Sequence, residues 1–351
     1  MMDLTLSLAP MEGITGYVFR NAHHKFFGGS SQVRYYTPFV VCTYTKRIKT
    51  REKQDVLPEH NKGIPLVPQL LSNKAEEFLY TARSMAEFGY REVNLNLGCP
   101  VATVTAKKKG SGFLTVPDEL DRFLCAIYEG AEKIPVTRED GSTGSLAISI
   151  KTRLGFSDVA EAPRLFAIYE QYPVKDLIIH ARTRAEQYAG QPELGVFFEI
   201  LSSSRLPITY NGNVFTKEDA DGILARSQGK LSGIMIGRGL VEDPALCRET
   251  RGGPPATKEE LASFHRALYE GYLAQYAGFH GQSSGDLVVI NRMKEVWSHL
   301  GLLFADNGHY LKAIHKAATR PAYEAAVRCL FDNCALVPRT PGIRETPSSK
   351  A

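Results

Sequence analysis

Short apolar runs recur along the first two-thirds of the chain, each followed by a longer stretch with helical spacing. Runs at 4–9, 33–41, 66–71, 92–97, 146–153, 176–180, 206–211 and 232–237 are bounded by Gly, Pro, Asn or Asp, the pattern of buried β-strands. Between them, apolar residues three and four apart predict helices near 15–24, 76–88, 117 onward, 159–171, 193–203 and 216–227. Pro117 stands at a first helical position, where its missing N–H costs nothing. The polar cluster at 138–144 reads as an exposed loop. Strands this apolar suit a parallel sheet covered on both faces. Their count, and the roughly 250-residue span, predict an α/β fold: a (β/α)8 TIM barrel. A doubly wound sheet is the alternative, but it usually has fewer strands and a Gly-x-Gly-x-x-Gly after the first, which this chain lacks.

Arg251-Gly-Gly-Pro-Pro255 interrupts the alternation, and beyond it strand signals cease. Helical spacing continues at 258–275, 286–300, 309–318 and 321–333, predicting a small all-helical domain over 256–335 behind a barrel over 1–250. Residues 336–351, rich in Pro, Ser and Thr, are expected to be a disordered tail.

Composition changes this picture little: 351 residues, 43% apolar and 23% charged, describe an ordinary globular protein. Six cysteines without a Cys-x-x-Cys pair argue against zinc, iron–sulfur clusters and a disulfide framework, and for a reducing compartment. No apolar run approaches the roughly 20 residues that span a bilayer, and the N-terminus lacks a signal peptide's basic region and apolar core. The expectation is a cytoplasmic monomer with no metal and no membrane partner. A net charge of +4 does not by itself announce nucleic acid. Local clusters are more telling: Lys46, Arg47, Lys49, Arg51 and Lys53 fall within eight residues, and Lys107, Lys108 and Lys109 are consecutive. Either run fits a solvated loop or a surface for phosphates.

The chemistry lies at the strand ends. They carry Gln69, Asn96 with Cys99, Lys151 with Arg153, His180 with Arg182, Asn211, and Gly237 with Arg238. In a barrel the C-terminal ends of all strands surround one mouth, so these side chains would converge. Cys99 taken alone fits a buried free thiol beside a turn as well as a reactive one. The turns Asn211-Gly212-Asn213 and Gly237-Arg238-Gly239 follow the last two strands, where barrels commonly hold phosphate. Backbone N–H groups bared by glycine, with a guanidinium beside them, would cradle that anion; two ordinary tight turns are the alternative.

Leu8-Ala-Pro-Met-Glu-Gly-Ile-Thr15, Leu95-Asn-Leu-Gly-Cys-Pro100, Ile150-Lys-Thr-Arg-Leu-Gly155, His180-Ala-Arg-Thr183, Tyr210-Asn-Gly-Asn213 and Met235-Ile-Gly-Arg-Gly239 occur in this order. The set resembles the tRNA-dihydrouridine synthase family over residues 4 to about 250 and, more loosely, the helical domain. The resemblance implies FMN-dependent reduction of the C5–C6 double bond of uridine in tRNA, with NADPH as reductant. It places Pro10 and Met11 against the flavin ring, Gln69 and Lys151 at its polar edge, and His180 beside it. Asn211, Gly212, Asn213, Gly237 and Arg238 would hold the FMN phosphate. Asn96 would face the target base, and Cys99 would protonate C5 while hydride reaches C6. Arg153 and Arg182 would meet RNA or the flavin edge. Lys107, Lys108, Lys109 and the run at 46–53 would form an RNA rim, and the helical domain would bind RNA through Arg292, Lys294, Lys312, Lys316 and Arg320. Thr103 stands where many members of the family have lysine. A flavin barrel acting on a free pyrimidine, a synthase acting on rRNA, and a non-catalytic RNA-binding barrel stay open as alternatives.

Overall fold

The computed structural model describes residues 4–45, 47–277 and 282–343, and within it the apolar runs form one closed parallel barrel. Its strands are β1 (Thr5–Leu8), β2 (Arg34–Tyr36 and Val40–Val41), β3 (Leu66–Val67 and Gln69–Leu71), β4 (Glu92–Asn96), β5 (Ala147–Gly155), β6 (Leu177–Thr183), β7 (Ile208–Asn211) and β8 (Leu231–Ile236). β2 and β3 are each broken once, beside Pro38 and at Pro68, because proline gives the ladder no N–H. Where β2 breaks, the Thr37 hydroxyl accepts the Gln69 N–H at 2.9 Å in place of a strand partner. The first pieces of β2 and β3 pair with each other, as do the second pieces, and β1 pairs with β8. The ring is therefore complete, and no barrel edge is left open.

Alternation sorts each strand into two faces. Leu177 and Ile179 on β6 join the large apolar cluster between barrel and helices, as do Val93 and Leu95 on β4 and Ile148 and Ile150 on β5. Ile178 faces the other way and shares a smaller cluster with Ala9, Tyr36, Val67 and Met235 in the barrel interior. By the same parity Asn94, Asn96, Ser149, Lys151, Arg153, His180 and Arg182 point inward. The interior holds this small apolar cluster together with polar side chains, which reach the C-terminal mouth and, as Arg34–Glu92 and Asp176–Thr209, the opposite end.

Four helices, Lys258–Gln275, Gln282–Leu300, Gly308–Lys316 and Arg320–Asn333, follow the barrel. Their core is aromatic: the Tyr323 hydroxyl accepts from Trp297 Nε1 at 2.9 Å and lies 2.7 Å from His265 Nε2. The bundle packs on the barrel's first helix, Tyr17–His23, with Phe264 edge-on to Phe19. It also grips the β1 loop, where Arg292 Nη1 donates to the Gly13 carbonyl at 3.0 Å.

Three expectations are corrected. Residues 138–144 are not a plain loop: they turn an antiparallel hairpin, Pro135–Thr137 against Thr143–Ser145. Much of the basic run at 46–53 is helical, in Thr50–Val56, with Lys49 paired to Glu52 and Arg51 to Glu12; Lys46 lies outside the described residues. The expected disordered tail is ordered over 336–343, because its backbone finds partners on the barrel and bundle; residues 344–351 lie outside the described residues.

Candidate active site

Strand β4 ends in a turn that its own last residue holds. The Asn96 side-chain oxygen accepts the Gly98 N–H at 3.1 Å and the Cys99 N–H at 2.9 Å, and its Nδ2 donates to Gln69 Oε1 at 2.7 Å. Gln69 passes the chain on: its Nε2 donates to Asn94 Oδ1 at 2.8 Å, and Asn94 Nδ2 to Ser149 at 3.0 Å. From the other side Arg153 Nε donates to the Gly98 carbonyl at 2.8 Å. Ser111 binds the Cys99 carbonyl through its hydroxyl at 2.8 Å and its N–H at 3.1 Å. The turn is therefore held from strand, neighbouring strand and following loop. Its thiol is half-buried, and desolvation lifts its pKa, with nearby Arg153 and Lys151 opposing the rise. Burial thus favours the protonated thiol at neutral pH.

Lys151 and His180 stand on the next two strands. Lys151 Nζ donates to Asn211 Oδ1 at 2.9 Å, and Asn211 Nδ2 donates to the Met235 carbonyl at 2.7 Å. Desolvation, reinforced by Arg153, lowers the lysine pKa to about 7. His180 is buried, and desolvation with Arg153, Lys151, Arg182 and Arg238 around it drives its pKa far below the usual value, so the ring is neutral. Among the described residues no carboxylate pairs with any of these four cations. Two acids lie in their surroundings, Glu186 near Arg153 and Arg182 and Glu193 near Arg182; Glu186 is engaged by the Thr183 N–H and hydroxyl. Positive charge collected without a counter-ion at a barrel mouth fits an anionic group.

Around the two late turns, Arg238 Nη2 donates to Asn213 Oδ1 at 3.0 Å, joining them. A Cβ on Gly212 would lie 2.2 Å from the Tyr210 hydroxyl, so that glycine is required by packing beneath the turn. A Cβ on Gly237 would instead point toward Ala9 and Met11 Sδ, at 3.5 and 3.7 Å, into the space bordered by Pro10–Met11. The residues present thus fit a phosphate-bearing ligand: cations that no described carboxylate pairs with, and two turns joined through Arg238.

Arg153 and Arg182 depart from expectation. Both are fully buried, and their guanidinium groups are spent on backbone carbonyls: Arg153 on Gly98, Thr183 and Gln187, Arg182 on Ala189 and Gly190. They brace the loop at 183–190 against the Cys99 turn, and Arg182 Nη1 also lies 3.4 Å from His180 Nε2. Asn96 is likewise occupied in holding the turn. Of the three lysines, Lys109 reaches inward to the Cys42 carbonyl at 3.3 Å and Lys108 pairs with Glu119; Lys107 is exposed beside them. In the bundle Arg292 is tied to Gly13 and Arg320 to the Tyr269 hydroxyl.

Tyr188 was not singled out by sequence. It is exposed on the loop Arg153 and Arg182 brace, with Arg153 and Arg238 over its ring at 5.7 and 5.1 Å and His180 at 5.9 Å. The available signal was an aromatic residue in an otherwise polar stretch shortly after His180.

The family model of dihydrouridine synthases matches residues 7–270. Over 311 residues the chain is 28% identical to a tRNA-dihydrouridine(16) synthase of Cupriavidus necator, covering 86% of this chain and 91% of that one. It is 30% identical over 273 residues to a probable tRNA-dihydrouridine synthase of Staphylococcus epidermidis, covering 76% and 78%. Among solved structures, a 2-naphthoyl-CoA reductase complex shares the fold with a TM-score of 0.51 at 10% identity, over 71% of this chain and 50% of that one.

Proposed function

The chain belongs to the dihydrouridine synthase family, and we propose that it reduces the C5–C6 double bond of a uridine in tRNA with FMN bound at the barrel mouth. NADPH is the reductant in this reading. The observation that carries it is the Cys99 turn, fixed by Asn96 and Arg153 beside a cluster of cations that no carboxylate among the described residues pairs with.

FMN supplies, when bound, the hydride that enters uracil at C6. The chain supplies the rest. Hydride addition leaves an electron pair on the enolate, which needs a proton at C5. The Cys99 S–H bond breaks, its proton bonds to C5, and its electron pair stays on sulfur as thiolate. Lys151 and Arg153, whose charges favour that thiolate, sit close enough to stabilise it until solvent returns the proton. Asn211, Gly212, Asn213, Gly237 and Arg238 would bind the FMN phosphate. Lys151 and Gln69 would hold the ring's polar edge, with neutral His180 and Pro10–Met11 beside the ring. Tyr188 offers an aromatic face to an extruded base, and Lys107 with the helix Thr50–Val56 offers charge to tRNA phosphates.

The relative that covers most of this chain carries position 16 in its name, and uridine 16 is the target we assign. Incubating unmodified tRNA with protein, FMN and NADPH should yield one dihydrouridine, at that position, and none in rRNA. Turnover of free uracil or orotate as fast as tRNA would instead indicate a small-molecule barrel reductase.

A further inference from the structure

We infer that residues 336–343 form a strap that positions the phosphate-binding turns from outside the barrel. The inference rests on the phosphate reading above. The strap leaves the helical bundle at an antiparallel bridge between Phe304 and Leu336, with the Val337 N–H donating to the Leu303 carbonyl at 2.8 Å. It then touches both late turns. Arg339 pairs with Glu242, the last residue of the short helix Arg238–Glu242 that begins with the phosphate-site arginine. Further on, the Gly342 and Ile343 N–H groups donate to the two oxygens of Asp219, at 2.9 and 2.8 Å. The same carboxylate caps the turn itself, accepting the Phe215 and Thr216 N–H groups at 2.9 and 3.1 Å.

The decisive link is Asn213. Its Nδ2 donates to the Gly342 carbonyl at 3.2 Å while its Oδ1 accepts from Arg238 at 3.0 Å. The strap therefore fixes which way the Asn213 amide points, and the amide in turn fixes the guanidinium. Glycine is needed at 342 for this approach: a Cβ there would lie 2.1 Å from the Phe215 ring and 2.9 Å from the Asn213 carbonyl. Phe215 also carries Arg238 over its ring at 5.2 Å, so displacing it moves the arginine by a second route. Without the strap, Asn213 and Arg238 must be ordered each time a phosphate binds, which should weaken that binding by roughly tenfold. Because the strap starts on the bundle, it also joins the helical domain to the cofactor's phosphate end.

The test compares FMN with riboflavin, the same ring without phosphate, binding to apo full-length protein by fluorescence quenching. Gly342→Val should weaken FMN by roughly tenfold and leave riboflavin unchanged. Removal of 338–351 should do the same. Adding Gly342→Val to Arg238→Ala should produce no further loss, since both act through the guanidinium. Unchanged FMN affinity in Gly342→Val and in the shortened chain would overturn the inference. Equal losses for FMN and riboflavin would overturn it as well, by revealing general loosening. If Arg238→Ala fails to reduce the preference for FMN over riboflavin, the phosphate site itself is misassigned and the strap's role falls with it.

Discussion

Replacing Asn96 by alanine tests whether the turn, rather than the thiol alone, makes the site. The substitution strands two N–H donors, on Gly98 and Cys99, and leaves Gln69 Oε1 without the Asn96 donor at 2.7 Å. Each stranded group costs about 1–3 kcal/mol when water cannot reach it. The turn is half-exposed, so about 1 kcal/mol applies to each donor and slightly more to the buried Gln69 oxygen, roughly 3 kcal/mol in all. For a chain of this size that lowers Tm by roughly 4 °C. The local consequence is larger. Freed from its frame, the Cys99 thiol reaches water, its pKa relaxes downward, and the thiolate fraction rises. The assay is iodoacetamide alkylation of Cys99 in apo protein without RNA, followed by mass spectrometry against exposed Cys125 and Cys329 as references. Asn96→Ala should alkylate faster than wild type. Asn96→Asp, which keeps the acceptor and adds negative charge, should alkylate no faster than wild type. A residue acting only by contact with the base would leave RNA-free alkylation untouched. Wild-type alkylation and Tm in Asn96→Ala would refute the reasoning.

Two further predictions concern pH. Lys151 loses its proton at about pH 7 when folded, whereas an unfolded lysine holds it to about 10.5. Between those values the unfolded chain binds more protons, so stability should rise with pH by up to about 1.4 kcal/mol per unit. Measured by thermal unfolding of apo protein, wild type should gain on Lys151→Met between pH 7 and pH 9; parallel curves would contradict this. Burial holds the Cys99 thiol above its ordinary pKa, so in Lys151→Met, where the lysine cannot titrate, single-turnover uridine reduction should hold through neutral pH and decline only above the ordinary thiol range. A decline centred near pH 7 that persists in Lys151→Met would remove Cys99 as the acid.

The barrel was legible because each buried strand is a short apolar run, and alternation within the run decides what enters the interior. Strand ends pointed to Gln69, Asn96, Lys151 and His180, and the structure brings all four to one mouth. What they do there was less legible. A polar residue at a strand end looks the same whether it faces a ligand or a neighbouring carbonyl. Arg153 and Arg182 were expected at RNA or the flavin edge, and nothing in the local sequence showed that their donors bind the loop at 183–190. Asn94 and Ser149 went unremarked, though they continue the chain behind Gln69. The hairpin at 135–145 was hidden by its polar turn, and the strap by Pro338, Thr340, Pro341 and Gly342, which read as loop. Its order comes from Asp219, more than a hundred residues away in sequence. Local composition carries no trace of such a partner.

The central claim is that Cys99 gives the proton. Wild type and Cys99→Ala, each carrying reduced FMN, should be mixed with unmodified tRNA and sampled for dihydrouridine at position 16 through a single turnover. The account predicts that the variant binds flavin and tRNA as wild type does while reducing uridine roughly 10²–10⁴-fold more slowly. Reduction by Cys99→Ala at the wild-type rate would contradict it.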